Sequence, residues 1–323
     1  MNIRVQMHIL MVQHRILYKI AKAYYEKRLT QQEIANRYGL SRMKVSRLLA
    51  KAVNEKIVQI KIIAPNDQFT DLEHQLEEKY GMKEVVITNI KTNNEKDLFQ
   101  EIGRTSAEYL ISILQGNEII CLTWGRTLLN LINNLSAQEY PGLKVAQMLG
   151  GLGEPEAEFH GTDLARRMAQ IFTTRPRLIH APGILKNKKL CDELKEDIQV
   201  KNTLLLAAKA NIAVVGIGSF TEGGTILKSN ILTEKDKQTL NKHNVTGDIS
   251  LRFFNKEGQF INTELDDRIV GLSTDEILNI PRIIGVAGGL AKYNSIKAAV
   301  KGKLISVLIT DHNVAERLAN ERL

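Results

Sequence analysis

Residues 31–52 read QQEIANRYGLSRMKVSRLLAKA, and the spacing inside this stretch decides what the first part of the chain is. Ala35, Gly39 and Val45 stand at offsets of four and six, flanked by Ile34, Tyr38, Leu40 and Leu48. Thr30 and Glu33 complete a capping box, so a helix starts at Gln31 and runs to about Tyr38. Gly39 supplies the positive φ of a tight turn, and Ser41 caps a second helix reaching about Asn54. Ala35 is small where two steeply crossing helices approach closely, and Val45 plugs the angle between them. Ile34, Tyr38, Leu40 and Leu48 are expected to complete the inner face. This is a helix-turn-helix pattern. Just upstream, HRILYKIAKAYYEKR (14–28) spaces Leu17, Ile20, Ala21 and Tyr24 at helical intervals, which predicts a supporting helix.

Charge points the same way. Residues 1–63 hold 13 Lys+Arg against three Asp+Glu, whereas the remaining 260 residues hold 31 against 33. The whole surplus of the chain, +8, therefore sits in its first fifth, where a polyanion partner is expected. The second helix leaves Arg42, Met43, Lys44, Ser46, Arg47 and Lys51 outside. Arg42 and Arg47 suit guanine edges in a major groove, and Ser46 suits a base edge or a phosphate. Lys44 and Lys51 suit phosphates; with Ser41 at the helix start, these residues form the candidate DNA-contacting set. The competing reading is a helical hairpin whose charges are simply solvated.

Beyond Asn54, EKIVQIKIIAP alternates Ile57, Gln59, Lys61 with Val58, Ile60, Ile62, which predicts a strand or short wing ended by Pro65. NDQFTDLEHQLEEKYG then spaces Phe69, Leu72, Leu76 and Tyr80 as a connecting helix, with a part in a dimer contact. The expected division is a DNA-binding domain over 1–63 and an effector-binding and oligomerisation domain over 64–323, with 64–82 as the connecting helix.

From Glu84 onward, apolar runs alternate with helical segments. Strands are expected at 84–88, 118–124, 144–149, 212–218, 282–289 and 304–310. Helices are expected at 95–115, 126–135, 160–172, 187–199, 292–301 and 311–322. Near-continuous apolar strands joined by helices imply an α/β domain with a mostly parallel sheet covered on both faces.

Chemistry is expected past the carboxyl ends of these strands. Thr123-Trp124-Gly125-Arg126-Thr127 leads into a helix, Gly150-Gly151 ends a strand, Gly216-Ile217-Gly218-Ser219 ends another, and Gly288-Gly289 precedes Lys292. Glycine lets backbone amides approach an anion, and a helix start adds partial positive charge. Thr123, Gly125, Arg126, Thr127, Gly151, Gly218 and Lys292 therefore form a candidate set for a phosphorylated small molecule. Asp248 suits sugar hydroxyls, and His160 is either a ligand contact or only a helix cap. In ELDDRIVG (264–271), Asp266, Asp267 and Arg268 read as a surface ion pair without a function. Neither GxGxxG nor GxxxxGK[ST] occurs, which argues against a nucleotide cofactor.

Composition bounds the rest. The 323 residues are 43% hydrophobic and 25% charged, enough for two cored domains without a disordered tract. Cys121 and Cys191 form no CxxC pair, so no metal site or disulfide framework is expected. The apolar run from Met7 to Val12 is too short to span a bilayer. A cytoplasmic protein with no membrane partner is the expectation.

From Leu17 to Ala319 the chain resembles the SorC-type sugar-binding transcriptional regulators. The resemblance rests on YYEKRLTQQEIANRYGLSRMKVSRLL (24–49), LTWGRTL (122–128), GIGS (216–219), TGDISLRFFNKEG (246–258), DDRIVGLS (266–273), VAGGLAKYNSIKAAVKGK (286–303) and LITD (308–311). It implies an N-terminal helix-turn-helix and an effector domain like sugar-phosphate isomerases, acting on operator DNA as a homodimer or homotetramer. It implies further that the TWGRT loop and Lys292 hold a phosphate, that Asp248 meets sugar hydroxyls, and that the segment after Gly151, with His160, closes the pocket. Leu149, just before the glycine pair, departs from members with a cationic residue there, which favours a monophosphorylated ligand. The chain is read as a non-enzymatic regulator without cofactor, catalytic residues or metal. The alternative is an isomerase-like enzyme using Asp248 and His160 as acid and base.

Overall fold

A computed structural model describes residues 14–59, 69–90, 94–152, 160–221, 224–228 and 231–322. The chain divides between Asp67 and Gln68 into two compact units.

In the first unit, α1 (14–26) ends in a π-helical turn, Lys22–Glu26. It is followed by α2 (Gln31–Tyr38) and α3 (Arg42–Asn54). The capping box forms: Glu33 Oε2 accepts from Thr30 N at 2.7 Å, and Thr30 Oγ1 accepts from Glu33 N at 3.3 Å. Gly39 takes the turn at φ 64°. Ile20, Ala23, Ile34, Ala35, Val45 and Leu49 make the core between the three helices. Tyr38 departs from expectation. It stands 36% exposed at the end of α2, and Leu49 on α3 fills the inner position instead. The expected strand over 57–62 lies partly outside the described residues. Ile57 and Val58 bend back onto Leu17, Ala21 and Ala52 rather than pairing as a strand.

The second unit opens with α4 (Thr70–Tyr80), β1 (Glu84–Thr88) and α5 (Glu95–Ile113). Next come β2 (Ile119–Leu122), α6 (Arg126–Asn133), β3 (Lys144–Gln147), α7 (Gly161–Ile171) and β4 (Pro176–Arg177). Then α8 (Lys188–Glu196) and α9 (Ile198–Ala207) stand where one helix was expected, Asp197 capping the second. The chain continues through β5 (Ile212–Gly216), β6 (Gly218–Ser219), α10 (Thr225–Lys228), α11 (Glu234–Lys242), β7 (Gly247–Ile249) and β8 (Arg252–Phe254). It closes with α12 (Thr274–Leu278), β9 (Arg282–Val286), α13 (Tyr293–Lys301), β10 (Val307–Asp311) and α14 (His312–Asn320).

Seven parallel strands run in the order β1-β10-β9-β5-β2-β3-β4. Their residues alternate between two cores. Val85, Cys121, Ala213, Val215, Ile283 and Leu308 feed one face. Ile120, Leu122, Ile212, Val214, Ile284 and Ile309 feed the other. Burial on both faces explains why the longer of these strands read as near-continuous apolar runs, with polar residues at their ends. The expected connecting helix, α4, docks on α14 of the same unit. Tyr80 Oη donates to Leu318 O at 3.1 Å, and Lys79 Nζ donates to Leu318 O and Ala319 O at 2.8 and 2.9 Å.

A second sheet, β6-β7-β8, is antiparallel. Its β7–β8 hairpin turns through Ser250 and Leu251 at φ 57° and 61°. That turn geometry normally selects Asn or Gly. The DDR segment is not the surface pair expected. Asp266 accepts from buried Arg252 at 2.9 Å, Arg268 binds Asp236 in a part-buried pair, and only Asp267 bridges to exposed Lys188.

Candidate functional site

Chemistry gathers in two places, one in each unit. The first is the outer surface of α3. Ser41 caps the helix, its Oγ accepting from Lys44 N at 3.2 Å. Arg42, Lys44, Ser46, Arg47 and Lys51 all stand exposed. Lys51 pairs with Glu55 one turn on, at 3.5 Å. Among the described residues Arg42, Lys44 and Arg47 have no ion-pair partner, so three cations are available to a polyanion.

The second place is a cavity of about 340 Å³ at the carboxyl edge of the large sheet. Strands β2, β5 and β9 are neighbours there. After β2 the chain moves outward to β3 and β4. It then returns to place β5 on the other side of β2, so the direction of winding reverses between β2 and β5. Three loops from far-apart parts of the sequence thereby face one space, as expected at such a switch point.

The loop after β2 brings Thr123, Gly125, Arg126 and Thr127 to the cavity. Gly125 caps α6 at φ 125°, a backbone state that side chains resist. No side chain caps this helix, and its first intrahelical bond is Leu129 N to Gly125 O. The amides ahead of Leu129 have no helical acceptor, and the helix dipole favours an anion beside them. Thr123 Oγ1 ties the loop to its neighbour by accepting from Gly216 N at 3.4 Å. Arg126 stacks on Phe99, 5.0 Å away, and reaches Glu95 at 3.4 Å.

The loop after β5 supplies Gly218, and the hairpin behind it supplies Asp248. The two fit each other. A Cβ at Gly218 would land 1.8 Å from Asp248 Oδ1, so only glycine leaves room for the carboxyl. Asp248 is buried at 6% exposure, and its Oδ2 accepts from Leu251 N at 3.2 Å. Burial pushes the Asp248 carboxyl up to about 6; the Leu251 amide and the Lys292 charge pull it down only in part. From the loop after β9, Lys292 Nζ donates to Ile217 O at 3.0 Å. Burial also lowers the Lys292 pKa, with Asp248 opposing the shift and Arg126 adding to it. The loop itself is held by Asp311. One carboxylate oxygen accepts from Gly289 N at 2.6 Å, while the other caps α14 through Asn313 N and Val314 N at 3.1 and 3.2 Å.

Thus Thr123, Gly125, Arg126, Thr127, Gly218, Asp248 and Lys292 line one cavity. Gly151 and His160 lie off its lining and meet each other instead: a Cβ at Gly151 would fall 2.9 Å from His160 Cε1. His160 caps α7, its Nδ1 accepting from Thr162 N at 3.4 Å. The stretch 153–159, part of the segment expected to close the pocket, lies outside the described residues. Among the described residues there is no cluster of three metal-ligating side chains and no helix long and apolar enough to cross a membrane.

The site also contains residues that sequence reasoning passed over. Glu95, Leu98 and Phe99 come from α5, which reaches the cavity by packing along α6. Ser250 lines the cavity as well. Its hydroxyl is buried without a hydrogen-bond partner, and its backbone sits at positive φ beside Asp248. Only its place two residues after Asp248 could have marked it in the sequence.

Comparison with known proteins finds a match for each of the two units. The family model described as "Putative sugar-binding domain" matches residues 64–320, and the model for sigma-70 region 4 matches residues 19–55. The deoxyribonucleoside regulator of Bacillus subtilis (strain 168) is 30% identical over 301 residues, covering 93% of this chain and 96% of that protein. The transcriptional regulator LsrR of Enterobacter sp. (strain 638) is 28% identical over 309 residues, covering 94% and 93%. The crystal structure of the full-length sorbitol operon regulator SorC from Klebsiella pneumoniae superposes with a TM-score of 0.74 at 28% identity. It covers 95% of this chain and 98% of that one. A basic helix-turn-helix joined to an α/β unit with an anion-suited cavity, matched along its length in this way, makes the chain a member of the SorC family of sugar-binding, DNA-binding transcriptional regulators.

Proposed function

We propose that the chain controls a carbohydrate-metabolism operon in the cytoplasm, and that a phosphorylated sugar in the cavity sets its affinity for operator DNA. The observation that carries this reading is the cavity's polarity. The uncapped start of α6, Arg126 and Lys292 border the same space as one buried carboxylate, Asp248. The cationic side suits a phosphate, held by α6 amides, the Thr127 hydroxyl and Lys292. Asp248 suits sugar hydroxyls, and Ser250 can turn its unpaired hydroxyl to the same end of the ligand. Among the described residues no second cationic cluster lines the cavity, which fits a single phosphate.

Regulation then follows from linkage. A ligand that prefers one arrangement of a homodimer or homotetramer changes the population able to span two half-sites about 34–36 Å apart. Couplings of this kind are about 1–3 kcal/mol, or roughly 5- to 150-fold in affinity. Regulation without catalysis is the better reading, because Asp248 and His160 do not share the cavity. A proton-transfer pair must reach one substrate together.

The test is an operator titration with wild type and Lys292→Ala, with and without a panel of pentose and hexose phosphates. Wild type should shift its affinity with at least one of them. The variant should bind DNA normally and lose that shift. An unchanged wild-type affinity with every sugar phosphate, or a normal response in the variant, refutes the assignment.

A further inference from the structure

Helix α3 turns Val45, Leu49 and Ala52 into its own core. At about 100° per residue, Met43, Arg47 and Ala50 all fall within about 40° of the direction opposite Val45. All three are exposed. Met43, at 67%, is the most exposed large apolar side chain among the described residues. Lys44 and Lys51 lie along one side of this stripe, with Arg42 and Ser46 along the other. The outermost line of the most basic part of the chain is therefore Met-Arg-Ala, apolar on both sides of a single guanidinium.

Water gives a thioether no reason to stand at the crest of such a helix. A major groove does, because its floor carries one apolar group, the C5-methyl of thymine. Methionine suits that contact: it is unbranched, and its thioether adapts to an irregular apolar surface. The flanking cations match the phosphate ridges on either side of a groove. We propose that Met43 reads the C5-methyl of a thymine next to the base contacted by Arg47, which makes it a specificity-determining residue of the operator. This rests on α3 being the helix that enters the groove.

The experiment starts from a randomised pool of duplexes, from which the full chain selects its own site. Each thymine of the selected duplex is then replaced in turn by 2′-deoxyuridine, which removes only the methyl group. Wild type should lose about fourfold in affinity at one thymine per half-site, the worth of one buried methyl. Met43→Ala should bind the thymine and uracil duplexes alike. Arg47→Ala should bind more weakly but keep the fourfold difference. The inference is overturned if no single methyl matters, or if Met43→Ala still discriminates. It is also overturned if wild type and Met43→Ala differ by the same factor on both duplexes, which would assign Met43 to folding or assembly. Unchanged binding by both Arg47→Ala and Lys51→Ala would instead refute the groove assignment of α3, and this inference with it.

Discussion

Replacing Asp248 with asparagine isolates the charge of a buried carboxylate that lines the cavity. Asparagine keeps the oxygen that accepts from Leu251 N and the volume that Gly218 makes room for. In the folded chain the carboxyl titrates near 6 rather than 3.8, with burial as the largest cause. A carboxyl raised on folding binds a proton in the native state at pH values where the unfolded chain has already released it. The contribution of this one group to stability is therefore greatest below about pH 4, falls as pH rises through 6, and is flat above that. The shift of about two units makes ionised Asp248 cost about 3 kcal/mol at pH 8 and roughly half of that at pH 5. Asp248→Asn removes the cost, so the variant should unfold later than wild type, with a margin that grows between pH 5 and 8. Near 3 kcal/mol in a unit of this size, the margin at pH 8 is about 6–12 °C in Tm. Thermal unfolding of both proteins across that pH range is the assay. A margin that does not vary with pH, or a variant less stable than wild type at pH 8, refutes the claim that a desolvated charge sits at this position.

Further perturbations follow from the same geometry. Gly218→Ala forces a Cβ into the Asp248 carboxyl, and should cost about 1–3 kcal/mol in chemical denaturation while abolishing any sugar-phosphate response. Ser250→Gly removes an unpaired buried hydroxyl and relieves a positive φ, so denaturant midpoints should rise by the equivalent of about 1 kcal/mol; a lower midpoint would mean the hydroxyl is paired. Thr30→Ala breaks the capping box and should weaken α2 by about 1 kcal/mol, read as faster amide exchange over 31–38 with the second unit unchanged.

Much of this molecule is legible one segment at a time. Ala35, Gly39 and Val45, with Thr30 and Ser41 as caps, specify two crossing helices through contacts a few residues apart, and those helices are present. The strands of the large sheet are legible because burial on both faces leaves β5 wholly apolar and confines the polar residues of β9 and β10 to their ends, Arg282 at the start of one and Thr310 and Asp311 at the end of the other. The errors fall where local pattern is weak. The β7–β8 hairpin carries Ser-Leu where a turn signal would be Asn-Gly. Strand β4 has two residues, too few to show a period. Tyr38 has the spacing of a core residue but lies at the helix end, where the core runs out.

Read alone, the amino-acid sequence gives the two crossing helices of the first unit, six of the strands of the large sheet, the placing of basic charge in the first unit, and the glycine-bearing strand ends from which a site is built. Which of those ends share a cavity emerges from the folded packing alone. Strand order is settled by the packing of the whole sheet, because apolar burial is non-directional and leaves no mark of which strand lies beside which. Neighbouring β2, β5 and β9 bring Arg126, Gly218 and Lys292 together from positions far apart in the chain, and leave Gly151 and His160 off that cavity. The same packing withdraws Asp248 from water and raises its pKa, a property the residue does not have until the chain has folded around it.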